Sequence, residues 1–410
     1  MKRAYERLLR YTAFETASSE DSTTYPSTPG QLVLGAALVE ELKELGVTDA
    51  RLDKYGYVYG TVPSNIPHWQ GKRLGLCAHM DTVENPKATD IKPRVIPDYD
   101  GGDICLNEEL QIYMRTSDYP ALKRLAGRSL VVTDGTTILG ADDKCGVAEI
   151  MTAAGRLMEA GAVPHGEVKI CFTPDEEVGT GTLYLKPEDF GCDFAYTCDG
   201  GPFGSFQYET FNAAGAKVTV KGISSHPGSA KGVMKNAARI ALEFDALLPQ
   251  GERPEHTEGY EGFYHLTGMK GDVEEAQLRY ILRDHDAKTL LSRKAKAQEI
   301  AAALNKKYGD GTVAVAIEDS YRNMGEVMKD HLHLVESAKA AIAAAGGVPD
   351  VKPIRGGTDG SRLSFMGIPC PNLGDGSYNG HSRMEFACVE EMDACVEVLL
   401  NLAARYTHFE

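Results

Sequence analysis

Glu167-Val168-Lys169-Ile170-Cys171-Phe172 runs directly into Thr173-Pro174-Asp175-Glu176-Glu177-Val178-Gly179. Val168, Ile170 and Phe172 alternate with Lys169 and Cys171, a period of two that predicts a buried strand. Pro174 and Gly179 turn its end into a loop. Two carboxylates at consecutive positions cannot point the same way. One can hold a metal ion while its neighbour faces the attacking water. Amide hydrolysis needs that division, a Lewis acid and a base that shuttles the proton. A Glu-Glu pair alone is more commonly solvated surface, so its weight depends on which other groups the chain brings to strand ends.

Outward from this run, short apolar segments alternate with helical periods. Arg73 to Ala78 reads as a buried strand delivering His79-Met80-Asp81, and Ser129 to Thr133 as another, followed by Gly140-Ala141-Asp142-Asp143. Val147, Ile150, Met151, Ala154, Leu157 and Met158 then fall at helical spacing, with Gly161 as a stop. Phe194 to Cys198 is a strand ending in Asp199-Gly200-Gly201. Nearer the start, helices are predicted over about 3–13 and 30–45, and strands at 50–52 and 57–62. Residues 84–127 read as an elaborated loop or a β-hairpin arm. This alternation predicts an α/β domain with a mostly parallel central sheet flanked by helices. Such sheets gather ligands beyond the carboxyl ends of their strands.

The pattern changes in the middle of the chain. A strand at 216–221, a helix at 236–248, strands at 263–269 and 276–283, a helix at 287–307 and a strand at 312–317 give the order β-α-β-β-α-β. That order predicts a ferredoxin-like α+β unit. We therefore expect a lid domain, 214–320, inserted into a catalytic domain made of 1–213 and 321–410. The second part carries helices at about 329–345 and 389–405 and the Gly-rich loop Arg355-Gly356-Gly357-Thr358-Asp359-Gly360.

Composition bounds the partners. The 410 residues suit two domains, and 42% hydrophobic with 25% charged residues is ordinary globular usage. A net charge of −16 argues against nucleic acid and anionic membranes. Nine cysteines without a C-x-x-C suggest neither a disulfide framework nor a zinc ribbon, and point to a reducing cytoplasm. The first ten residues are charged throughout, and no apolar run reaches membrane length. The oligomeric state is open, a homodimer being one option.

Each candidate has a plain reading beside a chemical one. His79 at a strand end bonds the backbone or holds a metal; Asp81, two residues on and on the same face, orients that histidine or another ligand. Asp142 caps a helix or bridges two metals. Asp199 makes a turn or ligates, and His381, in Tyr378-Asn379-Gly380-His381-Ser382, is surface or ligand. Taken together, two histidines and three carboxylates suit Zn²⁺, with Mn²⁺ or Co²⁺ as substitutes, in a two-metal site. Spacing alone does not make them converge.

The runs Ala78 to Glu84, Thr133 to Lys144, Phe172 to Gly179, Ser225-His226-Pro227-Gly228, Ala230 to Met234, Gly262 to Leu266 and Pro353 to Gly360 resemble the peptidase T family, in the dizinc aminoacylase and glutamate-carboxypeptidase superfamily. The resemblance spans essentially the whole chain. It implies a cytoplasmic tripeptide aminopeptidase with two zinc ions, a metal-bridging water and small peptides as substrates. By resemblance, His79 and Asp199 bind one zinc, Glu177 and His381 the other, and Asp142 bridges them. Asp81 orients His79, and Glu176 is the general base and then the proton donor. A cis peptide is implied between Asp142 and Asp143. The resemblance assigns His226 to substrate binding; it is the candidate lid donor to the oxyanion, or else a hinge-turn histidine. Arg283 and Arg355 are candidates for the peptide's terminal carboxylate, or else members of structural ion pairs. Cys145 stands where the family suggests a smaller residue, and Gly380 and Ser382 are less family-like. The competing expectations are a sister dipeptidase, carboxypeptidase or deacylase, and a silent metal- or peptide-binding protein.

Overall fold

The computed structural model describes residues 2–408. The chain forms two compact units. The larger holds the residues up to Tyr208, Val327–Lys352 and those from Thr358 on; the smaller holds Glu209–Glu326 and Pro353–Gly357.

The larger unit is built on an eight-stranded sheet. Val168–Thr173 pairs in parallel with Leu74–His79, Leu74–His79 with Phe194–Cys198, and Phe194–Cys198 with Asn372–Leu373. The first three strands are almost wholly buried, as their apolar runs require of a covered parallel sheet. Their ends are level, with His79 opposite Thr173 and Cys77 opposite Thr197. His79, the Glu176-Glu177 turn and Asp199 therefore emerge at one edge. Antiparallel neighbours, Val58–Val62 and Ser205–Gln207, extend this parallel centre on its two sides.

Helix Ala141–Met158 packs on Leu74–His79 and Phe194–Cys198, and helix Val389–Arg405 packs on it in turn. Its Ala, Gly and Cys residues make it buried all round. A Cβ on Gly146 would stand 1.9 Å from the Cys198 carbonyl oxygen, so only glycine allows this approach. Cys145 is fully buried and packs as a small apolar residue.

A second, antiparallel sheet in this unit runs in the order Ser377–Tyr378, Phe386–Cys388, Leu130–Val132, Arg94–Ile96. Phe386 lies opposite Val132. The connection at 379–385 and the segment after Val132 therefore leave the sheet side by side, which brings His381 toward Asp142. The 84–127 stretch supplies Arg94–Ile96 and a hairpin of Ile104–Asn107 with Ile112–Met114. Strands such as Asn372–Leu373 and Ser377–Tyr378 are two residues long and have no period to read.

The smaller unit has the strand order Phe263–Gly271, Glu275–Asp284, Asn212–Lys221, Val313–Tyr321, all antiparallel. Numbered within the unit this is 2-3-1-4, the ferredoxin-like order. Helices Ala237–Leu247 and Ala287–Tyr308 pack on this sheet around a separate core that includes Val218, Phe244, Leu278 and Leu304. Asn236 and Asp286 cap them by accepting the Arg239 and Thr289 N–H groups. The Gly-rich stretch is divided: Arg355 falls in the smaller unit, not the larger one where chain order had put it, and Thr358 caps helix Asp359–Phe365 in the larger. Among the described residues no helix is long and apolar enough to cross a membrane.

Candidate metal centre

Seven of the ten sequence-derived site residues, His79, Asp81, Asp142, Glu176, Glu177, Asp199 and His381, lie in the larger unit. His79 Nδ1–H donates to the Asp81 carbonyl oxygen at 3.0 Å, which fixes the ring and aims Nε2 into the carboxylates. Nε2 is 3.1 Å from Asp142 Oδ1 and 3.6 Å from Asp199 Oδ1. On the other side, His381 Nε2 is 3.3 Å from Asp142 Oδ2 and 2.9 Å from Glu177 Oε1. Asp142 therefore faces one imidazole with each of its oxygens. The peptide between Asp142 and Asp143 is cis.

The donor set fits a pair of divalent cations. His79, Asp142 and Glu177 offer ligand atoms within 4.8 Å of one another, and so do His79, Asp143 and Asp199. Glu177 Oε1 is buried with no hydrogen-bond donor aligned on it, although His381 stands beside it. The titration of the centre reports the same crowding of negative charge. The adjoining Asp142 and Glu177 carboxylates push the His381 imidazole up to about 11. Burial lowers the His79 pKa, but the adjoining Asp142, Asp199 and Asp81 carboxylates outweigh it and the net shift is upward. Burial likewise opposes ionisation of Asp142, and His381 and His79 overcome it to hold the carboxyl below its usual range. Protons on the imidazoles thus occupy the place that cations would take.

The Glu-Glu turn is held from beneath. Asp81 accepts the Glu176 N–H at 3.0 Å and the Glu177 N–H at 3.1 Å. Its carboxylate is 3.4 Å from His79 Nδ1, so it supports the turn more closely than it supports the imidazole. Asp175, at φ 55°, accepts from the Ser27 N–H, the Ser27 hydroxyl and Gln31 Nε2. Burial, then the Asp199 charge, raises the Glu176 pKa well above its usual range.

The comparisons with known proteins agree with this geometry. Residues 132–405 match the model of peptidase family M20/M25/M40. Peptidase T of Caldanaerobacter subterraneus subsp. tengcongensis is 48% identical over 406 residues, 99% of each chain. Peptidase T of Clostridium novyi is 48% identical over 407 residues, covering 99% of this chain and all of that one. This chain belongs to the peptidase T branch of the M20 metallopeptidase family. The fold agrees: an aminopeptidase from Bacillus cereus superposes with a TM-score of 0.77 at 23% identity, covering 98% of each chain. A tripeptidase from Staphylococcus aureus gives 0.78 at 22% identity, covering 99% of this chain and 98% of that one. The chain is a metallohydrolase with a dinuclear His/Asp/Glu site.

Two residues of this M20 centre escaped the sequence reading. Asp143 stands within ligand range, but the His79 N–H at 3.0 Å and the Gly146 N–H at 3.2 Å take its two oxygens, so it braces His79. Its only signal was adjacency to Asp142. Glu385 is buried and accepts the N–H groups of Leu139, Gly140 and Asp142. A lone glutamate in a short connection carries no periodic signal. Gly380, by contrast, is now explained, because a Cβ there would stand 3.0 Å from Asp142 Oδ2.

His226, Arg283 and Arg355 lie in the smaller unit. His226 is exposed, and its Nδ1 accepts from the Gly228 N–H at 3.1 Å. Arg355 donates to the carbonyls of Gly259, Glu261 and Thr257 and to the Thr257 hydroxyl, so its guanidinium clamps that loop. Arg283 Nη1 donates to the Arg355 carbonyl at 2.9 Å, while its buried Nε has no partner. Asp284, its neighbour in sequence, pairs with Arg293 instead.

Proposed function

We propose that this chain is a cytoplasmic dizinc aminopeptidase that removes the N-terminal residue from tripeptides. The observation that carries the reading is Asp142, held between the imidazoles of His79 and His381, in a chain 48% identical to peptidase T along 99% of its length. His79 and Asp199 would hold one zinc, Glu177 and His381 the other, and Asp142 both. Nitrogen and oxygen donors of this kind suit Zn²⁺, and Mn²⁺ or Co²⁺ accept the same set.

Such ions, when bound, supply the Lewis acidity that polarises the scissile carbonyl and lets water give up a proton near neutral pH. Glu176 takes the proton of the attacking water and hands it to the departing amine. Its raised pKa, from burial and the Asp199 charge, suits a group that must hold that proton between the two steps. His226 is our candidate oxyanion donor. For the terminal carboxylate of the peptide we favour Arg283, whose Nε is unpartnered, over Arg355, whose donors hold a loop. All nine cysteines are free thiols, which suits a reducing cytoplasm.

The test is to incubate zinc-loaded protein with a tripeptide, its N-acetylated form and the matching dipeptide, and to identify products by mass. Release of the first residue from the unblocked tripeptide alone is expected. Cleavage confined to the acetylated peptide or the dipeptide would move the chain to a sister activity. Arg283→Ala is expected to raise the tripeptide KM by roughly 10- to 100-fold, a lost charged hydrogen bond; an unchanged KM would remove Arg283 from the site.

A further inference from the structure

Glu385 does something that none of the metal-binding groups does. Its Oε2 accepts the N–H groups of Leu139 and Gly140, each at 2.7 Å, and its Oε1 accepts the Asp142 N–H at 3.0 Å. Three backbone donors converging on one buried carboxylate make a rigid socket. That socket is the turn that carries Asp142, with Gly140 at φ 73° allowing the N–H groups to point one way. The carboxylate comes from the other side of the centre. Glu385 is four residues after His381 in the connection between Ser377–Tyr378 and Phe386–Cys388. That connection is internally braced: Glu385 N–H donates to the Ser382 carbonyl at 3.1 Å, Met384 N–H to Ser382 Oγ at 3.1 Å, and Asn379 Nδ2 to the Met384 carbonyl at 2.9 Å. One side chain thus keys together two loops, one bearing the carboxylate between the histidines and the other bearing the second histidine.

We propose that Glu385 is a positioning residue for the metal pair, setting the distance between the Asp142 carboxylate and the His381 imidazole, and thereby the affinity of the cation they share. The inference rests on the dinuclear reading of the centre. Glu385 would touch neither substrate nor metal and acts through the backbone of residues 139–142. Glutamine at this position keeps the shape but turns an NH₂ group toward an N–H donor, so the socket opens on one side.

The test uses the full chain freed of metal. Wild type, Glu385→Gln, Glu385→Ala and Glu41→Gln are titrated with Zn²⁺ against a chromophoric chelator, and their metal-free unfolding is followed by circular dichroism. Glu41 is a buried carboxylate that accepts from Arg7, Arg10 and Tyr11, and it serves as a control for general loss of stability. We expect Glu385→Gln to keep a cooperative metal-free unfolding transition while binding one of two zinc ions roughly 10- to 100-fold more weakly. Glu385→Ala should do the same or more, Glu41→Gln should bind both ions as wild type does, and kcat of Glu385→Gln should fall with little change in KM. Wild-type affinity for both ions in Glu385→Gln would overturn the inference. So would equal weakening in Glu41→Gln, or weakening in step with a lost unfolding transition. Wild-type protein that takes up no zinc would overturn the dinuclear reading itself, which separates that failure from the failure of Glu385.

Discussion

Glu176 and Glu177 are neighbours whose side chains go different ways, and the backbone beneath them sets that divergence. Asp81 fixes both N–H groups, so the side chains diverge: Glu177 meets His381, and Glu176 stays half-buried with a raised pKa. Glu176→Gln is expected to lower kcat by roughly 100- to 10,000-fold, the usual worth of a general base, with zinc stoichiometry unchanged. Loss of zinc together with activity would instead make Glu176 a ligand. A second residue-scale expectation concerns Asp375, fully buried, with one oxygen accepting the Ser377 N–H at 2.9 Å and the other unpartnered. Burial pushes its carboxyl up to about 8, from 3.8 when free. Between those values the folded chain holds a proton that the unfolded chain releases, so this group's contribution to stability falls as pH rises. Asp375→Asn keeps the bond to Ser377 and removes the titration. Denaturant midpoints of the metal-free proteins at pH 5 and pH 8 should fall less in the variant than in wild type; equal falls would mean that Asp375 ionises normally.

At the scale of elements, helix Ala141–Met158 and strand Phe194–Cys198 approach so closely that a side chain cannot fit between them at Gly146. Asp142 and Asp143 lie at the start of the helix segment, and the strand ends one residue before Asp199. Packing and ligand geometry are therefore one constraint. Gly146→Ala should lower stability by about 1–3 kcal/mol through overpacking, and should also weaken zinc binding by displacing Asp199. Urea midpoints and a zinc titration check both halves. A stability loss with wild-type zinc affinity would show that the strand end moves independently of the helix.

For the whole molecule, the centre links metal, protons and stability. Without metal, carboxylates hold His79 and His381 protonated. Ligation needs neutral imidazoles, so zinc binding should release protons, and affinity should rise as pH rises from 6 to 8. Calorimetry in buffers of different ionisation enthalpy measures that release directly; no buffer dependence would mean that the imidazoles are already neutral. Chelation should abolish turnover, and zinc at 100 times its Kd should restore about 2.7 kcal/mol of stability.

The alternation of buried strands with helices was legible because a parallel sheet demands apolar runs, as in Leu74–His79 and Val168–Thr173, and the antiparallel smaller unit demands period-two patterns, as in Asn212–Lys221. The candidate ligands at strand ends stood out for a related reason, since polar groups that stop an apolar run are conspicuous. The roles proposed for them come from the runs that resemble peptidase T. What stayed hidden was made by contacts between distant parts of the chain. Glu385 meets residues 139–142 only because Phe386–Cys388 pairs with Leu130–Val132 across more than 240 positions. Arg355 joins the smaller unit because its guanidinium finds the carbonyls of Gly259 and Glu261. A one-dimensional pattern records which face of an element is apolar, and so determined the elements and the kind of chemistry at their ends. Which carboxylate lies beside an imidazole and which braces a backbone depends on donors brought near by folding, and the tertiary structure alone decided that.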